Sequence, residues 1–200
     1  LFGLGPSSQK LTQSKQGLAN QVTTYFEKQK KMADEVAILD ADQQLSALET
    51  KLLYDKDTGA LNKRGKDAFG VPDQIDTDYK TGADEIEAKL SNDEQKMAFR
   101  RARSSRWNDI NRTTQKFVAS ESRQYDEQVT TSFMNNEQDA AAANFQDMER
   151  VAMSIERQRA AVQQHAERNG LPPEYVKMQM VEATSKTHSL VVSRYLNSNL

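Results

Sequence analysis

The chain has 200 residues, of which 36% are apolar and 28% charged, with a mean hydropathy of -0.82. That is lean in core-forming residues and excludes a large spherical core around a buried pocket, while 27 basic against 29 acidic residues leave a net charge of -2 that names no polyanionic partner. The absence of cysteine excludes disulfide scaffolds, thiolate metal sites and cysteine nucleophiles.

No stretch approaches the roughly 20 apolar residues of a membrane span. Leu1–Pro6 is short and uncharged, unlike a secretory signal, and a chain that begins with Leu is expected to be a processed or excised piece of something longer. Gly3–Ser8 reads as a flexible lead. From Ser8 to Tyr54 there is no Pro and a single Gly, Gly17. Leu11 precedes a regular series of apolar residues: Leu18, Val22, Tyr25, Met32, Val36 and Leu39. The spacings from Leu18 alternate four and three once Gln29 fills the vacant slot, which is a heptad seam rather than strand alternation. After Leu39 the apolar positions move to Ala41, Leu45, Leu48 and Leu52, as a stutter would move them. This predicts one long helix or two nearly collinear ones, a rod of roughly 65 Å.

Asp55-Lys56-Asp57-Thr58-Gly59 predicts a turn that ends the rod. A short basic stretch bounded by glycines follows, Ala60–Gly70, and Val71-Pro72-Asp73 restarts helix with Pro in the first turn. Ile75, Tyr79, Ile86 and Leu90 give that helix an apolar face, with Gly82 a weak spot. Ser91-Asn92-Asp93-Glu94 reads as a capping box. No Pro or Gly recurs before Gly170, and the face along the way is Met97, Trp107, Ile110, Phe117, Val118, Tyr125, Val129 and Phe133. A break is expected near Ala143-Asn144, with Asn144 as the new cap and Asp147 at its third position. The next helix carries Met148, Val151, Ile155 and Val162 and stops at Asn169-Gly170. Leu171-Pro172-Pro173-Glu174 opens the last one, whose face is Val176, Met180, Ala183, Thr187, Leu190 or Val191, and Arg194 or Tyr195. No segment reads as a strand. The fold class is therefore all-α, with long helices: a coiled-coil-like N-terminal rod over residues 1–58, and an antiparallel helical bundle over 59–200, because short turns join helices antiparallel.

Chemistry is sparse. Asp55-x-Asp57-x-x-Ala60 begins like a calcium loop, but Ala60 and Lys66 stand where the motif needs Gly and Glu, so a polar turn is the better reading. The two histidines, His165 and His188, lack a second His four residues on, since Asn169 and Val192 stand there. No phosphate-binding glycine loop or serine-nucleophile motif occurs. No catalytic, cofactor or metal site is expected. The strongest electrostatic feature is a change of sign along one helical stretch. Lys96, Arg100, Arg101, Arg103, Arg106, Arg112, Lys116 and Arg123 face only Asp109 and Glu121; Asp126, Glu127, Glu137, Asp139, Asp147 and Glu149 then face Arg150. Such a basic run is a solvated face, a match for carboxylates on another helix or subunit, or a track for a nucleic-acid backbone, with Arg100, Arg103, Arg106 and Arg112 as the candidate phosphate contacts. The seam of Leu18, Val22, Tyr25, Met32, Val36 and Leu39 is the candidate oligomer interface, with Gln29 setting register.

Several short motifs resemble a helical module of internal virion proteins, the DNA-ejection proteins, of tailed bacteriophages. They are Leu61-Asn62-Lys63-Arg64-Gly65-Lys66-Asp67-Ala68; the Leu90 to Arg101 segment with Leu90, Ser91 and Phe99; Asn169-Gly170-Leu171-Pro172-Pro173-Glu174; Ser185 and His188; and Val191-Val192-Ser193-Arg194-Tyr195-Leu196. The resemblance covers roughly residues 54 to 196. It departs between Asn135 and Asn144, where Ala140–Ala143 stands in place of a Pro-marked break. It implies a protein carried in the capsid or tail that acts at the host cell envelope during ejection. There it would be a homo-oligomeric conduit for the genome, in the company of other virion proteins, sequence-nonspecific DNA and the host envelope surface. Some larger relatives carry a peptidoglycan-cleaving domain elsewhere, and no motif here matches one. The expected function is thus a non-enzymatic virion protein of genome delivery. The alternatives are a tape-measure or scaffold-like coiled-coil virion protein, a virion-associated peptidoglycan-cleaving enzyme, and a helical nucleic-acid-binding protein.

Overall fold

In the computed structural model, residues 6–198 are described, with side chains described from residue 16 onward. The lead expected over Gly3–Ser8 falls outside the described residues as far as position 5, and Pro6 to Ser8 already belong to the first helix. The side chain of Leu11 also lies outside. Five α-helices follow in order: α1 Pro6–Tyr54, α2 Val71–Glu87, α3 Asp93–Ala143, α4 Met148–Asn169 and α5 Pro173–Ser198. Two short 3₁₀ turns, Ala60–Asn62 and Gly65–Ala68, sit between α1 and α2. No strand occurs among the described residues, and none of their helices is long and apolar enough to cross a membrane. The all-α class is as expected.

The chain divides into two compact units. The first comprises α1 to Asn62 together with Gly70–Gln115; the second comprises Lys63–Phe69 and Lys116–Leu200. This differs from a boundary at residues 58 and 59. The cause is the C-terminal half of α1, which buries Ala41, Leu45 and Leu53 in the first unit instead of standing apart.

In the first unit, α1 is a single helix of 49 residues. The shift after Leu39 is more than a stutter, since it transfers the apolar stripe to another side of the helix. Asp34, Ala37, Ile38, Ala41, Leu45, Leu48 and Leu52 or Leu53 form the inward face, whereas Val36 and Leu39 stay exposed. Two residues advance a helix by about 200°, so a jump from Leu39 to Ala41 points the stripe nearly the opposite way. α2 presents Val71, Ile75, Tyr79, Ala83 and Ile86 inward. Gly82 leaves room for Leu48 of α1: a Cβ there would lie 2.7 Å from a methyl of Leu48. Tyr79 is almost fully buried, stacks on Trp107 at 5.4 Å between ring centroids, and donates its hydroxyl to the Arg103 carbonyl at 2.9 Å. Burial pushes its phenol up to about 12.

α3 is capped one residue later than a Ser91 box would have it. The Asn92 side chain accepts the Gln95 backbone N–H at 2.9 Å, and the Gln95 side chain reaches back to the Ser91 N–H at 2.8 Å. This is capping-box logic with Asn in place of Ser. Phe99 is buried, while Met97 points outward and is more than half exposed.

In the second unit, α3 ends at Ala143 as expected, but the cap of α4 is Asp147, whose carboxylate accepts the Arg150 N–H. The Asn144 amide instead turns back onto the Ala140 carbonyl. α4 ends in the left-handed Gly170, φ 62°, the conformation that suits glycine. Asp126 meets His165 and Gln138 meets Gln158, so the second half of α3 and α4 run antiparallel. α4 and α5 turn back on each other across Pro172. Val151, Ile155, Val162, Ala183, Thr187 and Val191 face inward, and Met148 does not.

Candidate association face and arginine row

The N-terminal half of α1 carries the most conspicuous surface. Good helix formers such as Ala, Gln and Lys hold residues 16–33 in helix, yet every one of them is exposed. Leu18 (60%), Val22, Tyr25, Met32, Val36 and Leu39 (70%) line one side, with Phe26 beside them at 66% exposed. Isolated exposed apolar residues are ordinary, but a continuous stripe marks an interaction surface. On this stretch of α1 the packed face, Asp34 and Ala41, lies across the helix from the stripe. Asp34 is held there by the amides of Asn92 and Gln95 at 2.9 and 2.7 Å.

The arginine row is built differently from a free basic track. Arg100 meets Glu87 at 2.7 Å, and Arg103 meets Asp84 at 2.6 Å and Glu87 at 3.4 Å, all on α2. Arg106 forks onto Asp42 at 3.0 Å and reaches Glu49 at 3.2 Å, both on α1. Burial would lower the Arg106 guanidinium, but its bonds to Asp42 and Glu49 outweigh burial and raise it. Arg112 pairs along its own helix with Asp109. Three of the four candidate phosphate contacts therefore bind α1 and α2 to α3 through planar forks that suit carboxylates. Of the three readings open for this run, the structure supplies carboxylates on neighbouring helices. The acids are those of α1 and α2, not the acidic run downstream.

The apolar pattern marks Val151, Ile155, Val162, Ala183, Thr187 and Val191 in the interior of the second unit but not Gln138 or Gln158. Gln138, Gln158 and Thr187 are at most 4% exposed and form a chain across three helices: Gln138 Nε2 to Gln158 Oε1 at 3.2 Å, and Gln158 Nε2 to Thr187 Oγ1 at 3.0 Å. Further along the same helix pair, Asp126 accepts from His165 (2.7 Å), Arg168 (2.8 Å) and Asn169 (2.6 Å). Burial would raise the Asp126 carboxyl, but these hydrogen bonds prevail and hold it below the ordinary aspartate range. His165 is thus engaged, and His188 is exposed on α5. Among the described residues no three His, Asp or Glu side chains are placed to hold a metal ion.

The basic stretch that carries part of the phage-protein resemblance docks inside this unit. Gly65, φ 55°, donates its N–H to the buried Glu121 carboxylate at 2.9 Å, and Arg64 lies 6.0 Å over the Phe117 ring. Phe69 meets Tyr125 edge to face. The other turn, at Asp55, uses its carboxylate to accept from Asp57, Thr58 and the Thr58 hydroxyl. These bonds lower the Asp55 carboxyl and turn the calcium-like beginning into a folded-back cap. A groove of about 700 Å³ lies between α4 and α5 and is lined by Leu171, Val176, Met180 and Val181 with Arg159 and Lys177. Its hydroxyls, Thr184 and Ser185, have no histidine among the lining residues.

No protein-family model, curated protein or solved structure matches the chain.

Proposed function

We propose that this chain is a non-enzymatic structural subunit of a tailed-bacteriophage particle, carried in the capsid or tail and acting at the host envelope as part of a homo-oligomeric conduit for genome delivery. The resemblance over residues 54 to 196 supports the particle and the process. The exposed stripe from Leu18 to Leu39 is the observation that carries the reading: one copy leaves it uncovered, and sister copies or other virion proteins would cover it. The lean composition and the absence of disulfides also support it. Helical units with modest cores open at low cost and regain stability from subunit contacts by mass action. Arg100, Arg103 and Arg106 serve in this reading to hold helices together.

Phage particles bearing Val22→Asp together with Val36→Asp test the proposal. Heads should assemble and package while genome delivery fails, and normal infectivity would overturn the reading. Turnover of peptidoglycan by the isolated chain would overturn its non-enzymatic part. A defined copy number by mass measurement supports a conduit, and an open-ended assembly supports the scaffold-like alternative.

A further inference from the structure

We infer that the N-terminal half of α1 pairs with the same segment of a second copy, antiparallel and in one register. The inference rests on reading the stripe as a self-association surface and adds its orientation. With Val22, Gln29 and Val36 at a, the d positions are Leu18, Tyr25, Met32 and Leu39. The e and g residues set the orientation of such a pair. The e positions are Ala19, Phe26, Ala33 and Asp40; the g positions are Gln21, Lys28, Glu35 and Asp42.

A parallel, in-register pair sets each g residue against the e residue five places on. That opposes Glu35 to Asp40 of the second copy, twice, and leaves Lys28 facing Ala33. An antiparallel pair opposes g to g and e to e. When Val22 layers on Leu39, Tyr25 on Val36 and Gln29 on Met32, Lys28 lies against Glu35 of the second copy at both ends of the centre. The bulky Phe26 then covers the small Ala33, also twice. A slide of one heptad in either direction brings Lys28 against Lys28 or Glu35 against Glu35. One register thus combines opposite charges with large-on-small packing. Neither Lys28 nor Glu35 makes an ion pair among the described residues, and they are seven residues apart, too far to pair along their own helix. Asp34 and Ala41 pack on the other side of α1, so a second copy reaches the seam without displacing α2 or α3. Such a contact is isologous and closes at two copies. The pair is then the building block, and a larger ring grows through another face.

The cysteine-free chain makes the test clean. Val22→Cys and Leu39→Cys proteins, mixed and oxidised, should give the mixed disulfide in preference to either homodimeric one. A dominant Val22→Cys homodimer would overturn the antiparallel register while leaving self-association intact. Lys28→Glu alone and Glu35→Lys alone should each weaken the pair about tenfold, and the double swap should restore it; weakening without restoration also overturns the register. A monomer at every concentration, by sedimentation of the unaltered chain, would overturn both the register and the self-association beneath it.

Discussion

The two units of this chain are both helical, yet they hold themselves together by different chemistry. The first unit closes on large apolar side chains, Leu45, Leu53, Ile75, Tyr79, Phe99 and Ile110, and keeps its charges as arginine–carboxylate forks near the surface. The second has Val151, Ile155, Val162 and Val191 but shares its interior with Glu121, Thr130, Gln138, Ser154, Gln158, His165 and Thr187. An apolar core is forgiving in detail and costly to hollow out. A buried polar chain adds little net stability when complete and loses much when one partner is removed. Equal helicity therefore conceals unequal tolerance.

The largest effect is expected at Tyr79 in the first unit. Tyr79→Ala should cost about 3 to 5 kcal/mol in denaturant unfolding of the first unit, through loss of the ring stacked on Trp107. Next comes Gln158→Ala, expected to cost about 2 to 3 kcal/mol because Gln138 and Thr187 lose partners in the interior. Replacing the whole chain at once with Gln138→Leu, Gln158→Leu and Thr187→Val should return stability to within about 1 kcal/mol of the parent; a triple variant as damaged as Gln158→Ala would show that the polar chain contributes more than mutual satisfaction. Gly65→Ala forces a side chain into positive φ and within 3.1 Å of the Tyr125 ring, for about 1 to 2 kcal/mol, read from thermal melts.

Acid should act on the second unit through Asp126. Its folded carboxyl lies below the ordinary aspartate value, so the charged form favours the fold. That contribution is complete above an unfolded value of about 3.9 and is lost as pH falls through the lower folded value. Asp126→Asn should flatten this acid limb, and an unchanged limb would assign acid sensitivity to other groups. The smallest effect is expected on α1, where Val22→Asp with Val36→Asp should change the stability of the isolated chain by less than about 0.5 kcal/mol even as it removes association.

Much of this was legible beforehand. The turns at Asp55–Gly59 and Asn169–Pro172, the end of α3 at Ala143, and Ile75, Tyr79 and Ile86 on α2, Val151, Ile155 and Val162 on α4, and Ala183, Thr187 and Val191 on α5 follow from breakers and apolar period; the Asp147 cap and the buried Ser154, Gln158 and Ala166 do not. α3 was harder. Gln95, Thr114, Glu121, Thr130 and Gln138 occupy its inward face, and a hydrophobic pattern cannot register a polar residue that is buried because it has a partner. The spacing around Phe99 does not mark it as core, since Met97 two places earlier competes for the same role. The partners of Arg100, Arg103 and Arg106 were invisible for a related reason: Asp42, Glu49, Asp84 and Glu87 are distant in sequence, and only folding brings them within reach. The stripe from Leu18 to Leu39 is readable because the four-three spacing holds throughout with one polar position, Gln29.

The two faces of α1 also share one uninterrupted backbone, and this gives the helix a phase. Between residues 34 and 41 the outward and inward stripes occupy the same turns on opposite sides of the helix, so the bearing of one is geared to the other. Inserting a single alanine after Asp40 would turn the outward stripe by about 100° against Leu45 and Leu53, and would carry Asp34, Ala37 and Ile38 off the packed face with it. The length of this helix, counted in residues, therefore determines the direction from which a neighbour approaches.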